Sequence, residues 1–262
     1  MPDKILADME AFLHELCDAA ALETMPRFRV RIDVENKQQG GFDPVTAADK
    51  AAEAAIRAMI RARYPDHGII GEEEAPLNPD AEFCWHIDPV DGTRAFIAGL
   101  PSWGTLIGLS QNGKAVAGIM HQPFTGERYF TSAGQSWLAH GSRRETVTTR
   151  KTGNLDGQTI MTTSPFLFSE GNLPRYRTLE SRCQLARYGC DCYAYAMLAS
   201  GHVGLVVESG LKSYDIAALI PVIEQAGGVV TTWDGGNAIG GGSILAAANP
   251  ELHAQAMEIL GG

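Results

Sequence analysis

The chain has 262 residues, of which 45% are hydrophobic and 20% charged, and its formal net charge at pH 7 is -10. This length suits one large domain or two joined lobes, and this composition is typical of a soluble globular protein. The acidic excess argues against a nucleic-acid surface, which is built from clustered Lys and Arg. An acidic protein that acts on an anionic substrate would need cations to reverse the local field.

The amino-terminal segment carries acids where a signal peptide would be basic and then apolar, so we expect no secretory leader. The longest uncharged run, 95–112, is interrupted by Gly99, Pro101 and Gly104 and does not predict a membrane span. The cysteines are odd in number, and Cys190-x-Cys192 lacks the spacing of a zinc site. We therefore expect reduced thiols and a cytoplasmic protein.

The first elements in chain order are a helix, a strand and a second helix. Apolar residues at helical spacing predict a helix over 5–22, and strict alternation predicts a half-buried strand over 28–35. Thr46 is the expected N-cap of a helix over 47–63, which places Asp49 in its first turn. A carboxylate there either complements the helix dipole or serves a site, and the sequence leaves both interpretations open.

A short apolar run over 68–71 predicts a buried strand that leads directly into three acids, Glu72, Glu73 and Glu74. Such a run is usually a solvated edge, but a carboxylate that leaves a buried strand is also a common ligand. Because strand side chains alternate between two faces, one or two of the three can point into a site.

Residues 85–108 carry the strongest functional signal. In the motif D-P-V-D-G-T, Asp88 and Asp91 stand three residues apart on a backbone stiffened by Pro89. Two like charges this close raise each other's proton affinity unless a cation lies between them, and carboxylates and carbonyls are the ligands that Mg²⁺ prefers. Gly92 allows close approach of the backbone to a ligand, and the N–H groups of a following helix favour an anion. The motif alone is compatible with a simple turn, but it also predicts a metal-bridged phosphate.

The rest of the chain is predicted to alternate strands and helices, with a polar lobe boundary at 141–156. A strand over 203–207 should end at Glu208. A helix capped by Ser213 should carry Asp215 in its first turn, bend at Pro221 and end at 227–228. Further strands are expected at 115–122, 128–131, 137–138, 158–163, 229–233 and 244–248, and further helices at 193–200 and 250–260.

Four separated motifs, D-P-V-T-A-A-D, G-E-E, D-P-V-D-G-T and Y-D-I-A-A…A-G-G, occur in the order and approximate spacing of the inositol monophosphatase family. The chain resembles that family from about residue 43 to 228. The resemblance implies a magnesium-dependent, lithium-sensitive phosphomonoesterase of the α/β class. The implied fold is a layered αβαβα arrangement, the inositol monophosphatase/fructose-bisphosphatase-like fold. It would form a single unit over 1–262, with an antiparallel-sheet lobe at about 1–145, a mixed-sheet lobe at 146–262 and the site at their junction.

The resemblance implies that two or three Mg²⁺ ions bind at these motifs, with Mn²⁺ as an alternative ion and Li⁺ or Ca²⁺ as inhibitors. The first ion would be held by Glu72, Asp88 and the Val90 carbonyl. A second would be held by Asp88, Asp91 and Asp215. Four converging carboxylates without basic partners are costly unless cations neutralise them, which supports the same conclusion on physical grounds.

By the same resemblance, the backbone N–H groups of Gly92 and Thr93 would bind the phosphate. The Thr93 hydroxyl, paired with Asp49, would orient the attacking water and help to deprotonate it. The implied reaction is direct in-line attack by water, without a covalent phosphoenzyme.

Finer features, G-T-R-A-F and Y-G-C-D-C-Y-A-Y, resemble the histidinol-phosphate phosphatase branch of the family. Asp191 and Glu208 then become candidates for the substrate pocket, because histidinol phosphate carries a cationic amine and an imidazole, whereas inositol needs only hydroxyl partners. Asp191 could instead cap a helix. Arg94 could contact phosphate or the pocket rim, or form only a surface ion pair. Gly204 departs from the branch, which often has an acid there.

The sequence therefore predicts hydrolysis of a small phosphomonoester, with histidinol phosphate as the first candidate. Inositol 1-phosphate, or a broad range of sugar and nucleotide phosphates, is the alternative substrate. A non-catalytic relative that binds Mg²⁺ or a partner is a third hypothesis, disfavoured because every motif residue is present. The resemblance also implies a homodimer, and neither a nucleic acid nor a membrane is an expected partner.

Overall fold

The computed structural model describes residues 2–30, 35–36, 44–151 and 153–261. The helices of this part of the chain are α1 Pro2–Thr24, α2 Ala47–Arg63, α3 Thr93–Ile97, α4 Asn172–Glu180, α5 Asp191–Ala199, α6 Ser213–Ile216, α7 Leu219–Gln225 and α8 Pro250–Leu260. Its strands are β1 Glu35–Asn36, β2 Pro44–Val45, β3 Gly68–Gly71, β4 Phe83–Asp91, β5 Gly104–Gln111, β6 Lys114–Gln122, β7 Glu127–Ser132, β8 Gln135–His140, β9 Arg143–Thr146, β10 Thr159–Thr162, β11 Leu185–Tyr188, β12 Leu205–Leu211, β13 Val229–Thr232 and β14 Gly242–Ala247.

Two large sheets organise these elements. The first has seven strands in the order β3-β4-β5-β6-β7-β8-β9, and every neighbouring pair is antiparallel except β3 and β4. The second has five strands in the order β11-β10-β12-β14-β13 and is mixed. Hairpins with tight turns at Gly113 and Gly134 explain why consecutive strands of the first sheet pair with each other. The expected antiparallel and mixed sheets are thus both present.

Three apolar clusters pack these sheets and helices into five layers. Alternation sends Ile107 of β5 to one face of the first sheet, where it packs with α1 and α2. Leu106 faces the opposite side and packs with α5, α7 and one face of the second sheet. The far face of the second sheet, which includes Leu205, is covered by α4 and α8. The predicted αβαβα layering is confirmed.

The helix predicted to begin at Ser213 and bend at Pro221 is broken into α6 and α7. Pro221 has no N–H to donate to the carbonyl of Ala217, and the two helices separate at 217–218. This break lies directly against the first sheet. A Cβ at Gly118 would lie 2.0 Å from the backbone oxygen of Ala218, and a Cβ at Gly108 would lie 2.6 Å from its nitrogen. Glycine at both sheet positions is therefore what allows this close approach.

Two sequence predictions are wrong in detail. Residues 28–30 form a turn rather than a strand, because Phe28 packs among Phe96, Trp103 and Phe124 at ring separations of 5.3–5.4 Å, and Arg29 adopts a φ of 59°. Residues 31–34 of that predicted strand, and 37–43, which include Asp43 of the first motif, lie outside the described residues. Within the expected lobe boundary at 141–156, residues 143–146 form a strand, β9, that was not predicted and whose charged side chains suit a sheet edge. The strand predicted to end at Glu208 continues to Leu211.

None of the helices in the described part of the chain combines the length and apolarity that a bilayer span requires.

Candidate active site

The central motif turns sharply where β4 ends. The Asp88 carboxylate accepts the N–H of Val90 at 3.0 Å, and Thr105 donates its hydroxyl to the carbonyl of Pro89 at 2.9 Å. Gly92 then adopts a φ of 86°, a left-handed conformation that favours glycine, and α3 begins at the next residue. An apolar cluster beneath the motif, formed by Phe28, Val90, Ala95, Phe96 and Trp103, holds this turn in place.

Three carboxylates converge at the end of β4. Asp88, Asp91 and Asp215 each offer an oxygen, and these atoms all lie within 4.8 Å of one another. Asp215 reaches the cluster from α6, where its carboxylate accepts the N–H of Lys212 at 2.6 Å. The predicted cap, Ser213, is therefore one residue off, since Lys212 precedes the helix and the capping contact comes from Asp215 itself. Asp215 lies in the first turn as expected.

The ionised forms of these acids are disfavoured by their surroundings. Burial raises the pKa of Asp88 well above its usual value, and the charges of Glu72, Asp91, Asp215 and Asp49 raise it further. Burial likewise raises the pKa of Asp91, and Asp191 and Asp215 add to the effect. The N–H of Cys192, at the start of α5, partly offsets this by donating to Asp91 at 2.6 Å.

These residues fit a divalent cation that prefers oxygen ligands. A cation among them would relieve the repulsion that raises the pKa of Asp88 and Asp91. Glu72 follows directly after β3 and is half-buried, and among the neighbouring charges it has the largest effect on Asp88. It does not belong to the group whose oxygens lie within 4.8 Å. The Val90 carbonyl accepts the Thr93 hydroxyl at 3.1 Å.

Asp49 and Thr93 are brought together across α2 and α3. The Thr93 hydroxyl lies 3.4 Å from one Asp49 oxygen, while the other oxygen accepts the N–H of Thr46 at 3.0 Å and its hydroxyl at 2.5 Å. Thr46 in turn accepts the N–H of Ala48, so the predicted cap is confirmed as a reciprocal capping box. Both interpretations of Asp49 that the sequence left open therefore have a structural counterpart.

Asp191 lies next to Gly92. It is the first residue of α5 rather than its N-cap, and it adopts a φ of 44°. A Cβ at Gly92 would stand 3.1 Å from the Asp191 carboxyl group. Burial raises the pKa of Asp191 to about 6, against the opposing effects of a hydrogen bond with Thr163 and the charge of Arg94, whose side chain is exposed.

Glu208 is almost fully buried in β12. Its carboxylate accepts the N–H of Thr163 at 2.5 Å and the hydroxyl of Thr162 at 3.1 Å. Burial nevertheless raises its pKa to about 8, and Asp191 is among the groups that raise it. Gly204 packs against Gln158 and has no place in this group.

Sequence reasoning missed several residues that hold the site together. Glu53 lies one helical turn after Asp49 and is completely buried, and it accepts backbone N–H groups of the acidic run that follows β3. Its position on the apolar face of α2 was the available signal. Thr162 and Thr163, which hold Glu208, have no distinctive pattern in the sequence.

A layered αβαβα fold with a partly buried carboxylate cluster at the end of a sheet strand fits the class of metal-dependent phosphatases. The chain belongs to the inositol monophosphatase family, whose sequence model matches residues 5–261.

Individual relatives agree with this assignment. The chain is 39% identical to the bifunctional phosphatase IMPL2, chloroplastic, of Arabidopsis thaliana, over 99% of this chain and 77% of that protein. It is 33% identical to a histidinol-phosphatase of Chlorobaculum parvum, over 90% of each. Its structure is similar to that of an inositol monophosphatase from Zymomonas mobilis, with a TM-score of 0.86 and 38% identity, covering 97% of this chain and 98% of the other.

Proposed function

We propose that this phosphatase hydrolyses histidinol phosphate in a magnesium-dependent reaction. The observation that carries the choice of substrate is the acidic pair of half-buried Asp191 and buried Glu208, of which Asp191 lies against Gly92 of the central motif. An amine-bearing phosphate ester would place its cation among these carboxylates. The identity to a histidinol-phosphatase over most of both chains supports the same proposal.

The groups assigned to Mg²⁺ are the carboxylates of Glu72, Asp88, Asp91 and Asp215 and the carbonyl of Val90. The close oxygens of the three aspartates and the raised pKa of Asp88 and Asp91 support this assignment. When bound, the ions would stabilise charge on the attacking and leaving oxygens of the phosphate.

The remaining motif residues are assigned to the phosphate and the water. The N–H groups of Gly92 and Thr93 would bind phosphate oxygens. Gly92, in its left-handed conformation, has no Cβ that would block the approach of the phosphate. Thr93 would orient the water, and Asp49 would take up its proton through the Thr93 hydroxyl. The water oxygen would form a new bond to phosphorus as the ester P–O bond breaks. The leaving oxygen would take a proton from solvent, and Asp49 would return its proton to solvent.

A second candidate substrate is inositol 1-phosphate. It is favoured by the similarity to a solved inositol monophosphatase at 38% identity, which is comparable to the identity with the phosphatase relatives. Asp191 and Glu208 would then serve as acceptors for sugar hydroxyls. The two candidates differ in whether the charge of the acidic pair matters.

The test is phosphate release with Mg²⁺ from histidinol phosphate, inositol 1-phosphate, a nucleoside monophosphate and glycerol 2-phosphate. Wild type is compared with Asp191→Asn, because asparagine tolerates the left-handed backbone at this position and removes only the charge. We expect wild type to prefer histidinol phosphate, and Asp191→Asn to lose about 10-fold or more of kcat/KM on that substrate alone. Asp66→Asn, an exposed position in the loop after α2, is the matched control.

Equal activity of wild type on all four esters would contradict histidinol phosphate as the substrate. Equal loss on all four in Asp191→Asn would contradict the role of the acidic pair in substrate choice. A preference for inositol 1-phosphate would establish the second candidate. Absence of phosphate release from every ester with ample Mg²⁺ would favour a non-catalytic relative.

A further inference from the structure

A buried ion pair on α2 holds the backbone of the acidic run after β3. Glu53 has no solvent exposure, and its two carboxylate oxygens accept the N–H of Glu73 at 2.8 Å and of Glu74 at 3.1 Å. Arg57 donates its Nε to Glu53 at 2.7 Å and its Nη2 to the carbonyl of Glu74 at 2.9 Å. We call Glu53, Arg57 and the backbone of residues 73–74 the Glu53 clamp.

The last residue of strand β3, Gly71, leaves room for the Glu53 carboxylate of the clamp. A Cβ at Gly71 would lie 2.1 Å from Oε1 of Glu53 and 2.7 Å from Oε2. The carboxylate therefore occupies the space that any larger residue at position 71 would need. This packing gives a physical reason for the glycine of the G-E-E motif, which is otherwise in an ordinary strand.

Stability alone is a weak explanation for this arrangement. Removing two charges from water costs several kcal/mol per ion, and apolar residues of similar volume often stabilise a fold as well as a buried pair does. The pair instead fixes a short irregular segment by three hydrogen bonds to its backbone and one ion-pair contact, between Nε of Arg57 and the Glu74 carboxylate at 3.8 Å. The residue that this segment carries toward the aspartates is Glu72. Strand β3 pairs in parallel with β4, with Gly71 opposite Ile87, so Glu72 follows β3 at the level of Asp88.

We propose that Glu53 is a positioning residue that sets the Glu72 carboxylate for metal binding. The inference rests on the Mg²⁺ site of the proposed function. Helix α2 then contributes to the site through Asp49 in its first turn and through Glu53 one turn later. The same rigid helix therefore carries Asp49, the partner of Thr93, and fixes the position of Glu72. Glu53 itself touches neither ion nor substrate, and it acts through the backbone of residues 73–74.

The test measures Mg²⁺ affinity directly, by isothermal titration calorimetry and by the increase in Tm on adding Mg²⁺ to chelator-treated protein. We expect Glu53→Gln, which keeps the shape but weakens the contacts, to raise the Kd for Mg²⁺ about 10-fold or more. Its kcat at saturating Mg²⁺ should stay within about 3-fold of wild type, because the reacting groups are intact. Glu15→Gln is the matched control, since Glu15 of α1 forms an ion pair with Arg63, an arginine of α2, at the surface.

Gly71→Ala provides a second route to the same defect, because it displaces the Glu53 carboxylate without removing it. It should weaken Mg²⁺ binding in the wild-type background and have a smaller additional effect in Glu53→Ala, where the space is free.

An unchanged Mg²⁺ affinity in folded Glu53→Gln would overturn the proposal, even if its Tm in chelator falls. If Glu53→Gln does not fold, the affinity of Gly71→Ala decides, and failure of both to fold would make the clamp a folding element only and overturn the proposal. Failure of the proposed function is distinguishable, because wild type itself would then bind no Mg²⁺ or release no phosphate.

Discussion

Asp191, which is half-buried, and Glu208, which is buried, interact electrostatically, but their pKa values are set by different contacts. Asp191 has a nearby cation in Arg94, and its pKa rises only to about 6. Glu208 has two hydrogen-bond donors but no cation among the groups that lower its pKa, which burial raises to about 8. In the protein without ligand, Glu208 is thus largely protonated at neutral pH. A cationic ligand would favour its ionised form and displace that proton.

This shift predicts how stability depends on pH. Because the folded-state pKa of Glu208 lies above its usual value of 4.5, its contribution to the free energy of unfolding is present below about pH 4.5 and is lost as pH rises towards 8. Gln resembles the protonated acid, so Glu208→Gln should gain stability relative to wild type between pH 5 and 8. The gain should be on the order of 2–4 kcal/mol, measured by urea unfolding in chelator.

The same change at Glu180 provides a contrast of opposite sign. Burial alone would raise the pKa of Glu180, but hydrogen bonds from Tyr188, Arg177 and Tyr176 hold it below its usual range. Its contribution to stability is therefore present above about pH 4.5 and lost as the pH falls further. Glu180→Gln should be destabilised relative to wild type by a constant amount between pH 5.5 and 8. A constant difference for Glu208→Gln as well would show that Glu208 is already ionised in the folded protein.

At the scale of elements, the close contact between the α6–α7 break and the first sheet positions Asp215. The glycines at 108 and 118 let the backbone of Ala218 approach β5 and β6, and this fixes the start of α6 near the end of β4. Direct backbone contact between the α6–α7 break and the first sheet therefore positions Asp215, as a ligand-bearing loop positions a carboxylate in other folds.

Gly118→Ala tests this contact. The added methyl group would meet the backbone oxygen of Ala218 at 2.0 Å, and the break would have to move away from the sheet. We expect the free energy of unfolding to fall by about 3 kcal/mol and Mg²⁺ affinity to fall with it. Gly171→Ala, where a Cβ meets nothing within 4 Å, should change stability by less than about 1 kcal/mol. Equal urea midpoints for the two variants would refute the argument.

The sequence correctly predicted those elements whose ends are determined by contacts between residues close in sequence. The cap at Thr46 and the bounds of α8 followed from short-range contacts and agree with the structure. The alternating pattern around Phe28 predicted a strand wrongly, because the Phe28 ring packs in an aromatic cluster formed by residues distant in sequence. Strand β9 was not predicted, because a charged edge strand has the composition of a loop.

For the site, the motifs predicted that Asp88, Asp91 and Asp215 would lie close together, but not which residues support their positions. The convergence of Asp88, Asp91 and Asp215 follows from the resemblance and from the cost of unneutralised charge. The support from Glu53, by contrast, joins a helix face to a loop through backbone atoms, which leave no pattern in side-chain identities. The backbone donor of Cys192 is hidden in the sequence for the same reason.

At the scale of the whole molecule, acidic side chains are concentrated around buried Asp88, where ionised groups destabilise the folded state most. The chain already carries a net charge of -10, and buried Asp88 feels four further acids. Natural sites commonly trade stability for function in this way. The protein without metal should therefore be less stable than its core alone would allow.

Asp88→Asn tests this trade. Asparagine can still accept the N–H of Val90, but it removes the central charge. In chelator at pH 8 we expect its Tm to exceed that of wild type by several degrees, at about 2–4 °C per kcal/mol. Added Mg²⁺ should raise the Tm of wild type but leave the variant unchanged, and the variant should release no phosphate. A lower Tm than wild type in chelator, or a Tm that still rises with Mg²⁺, would refute the argument.

The close carboxylates come from distant parts of the chain. Asp88 and Asp91 end a strand of the first sheet, whereas Asp215 follows the central strand of the second. A nascent chain that ends before α6 therefore lacks one of the three acids whose oxygens lie within 4.8 Å of one another. The complete cluster forms only after the chain has been synthesised through α6, so folding of the second lobe is needed before the three acids can meet.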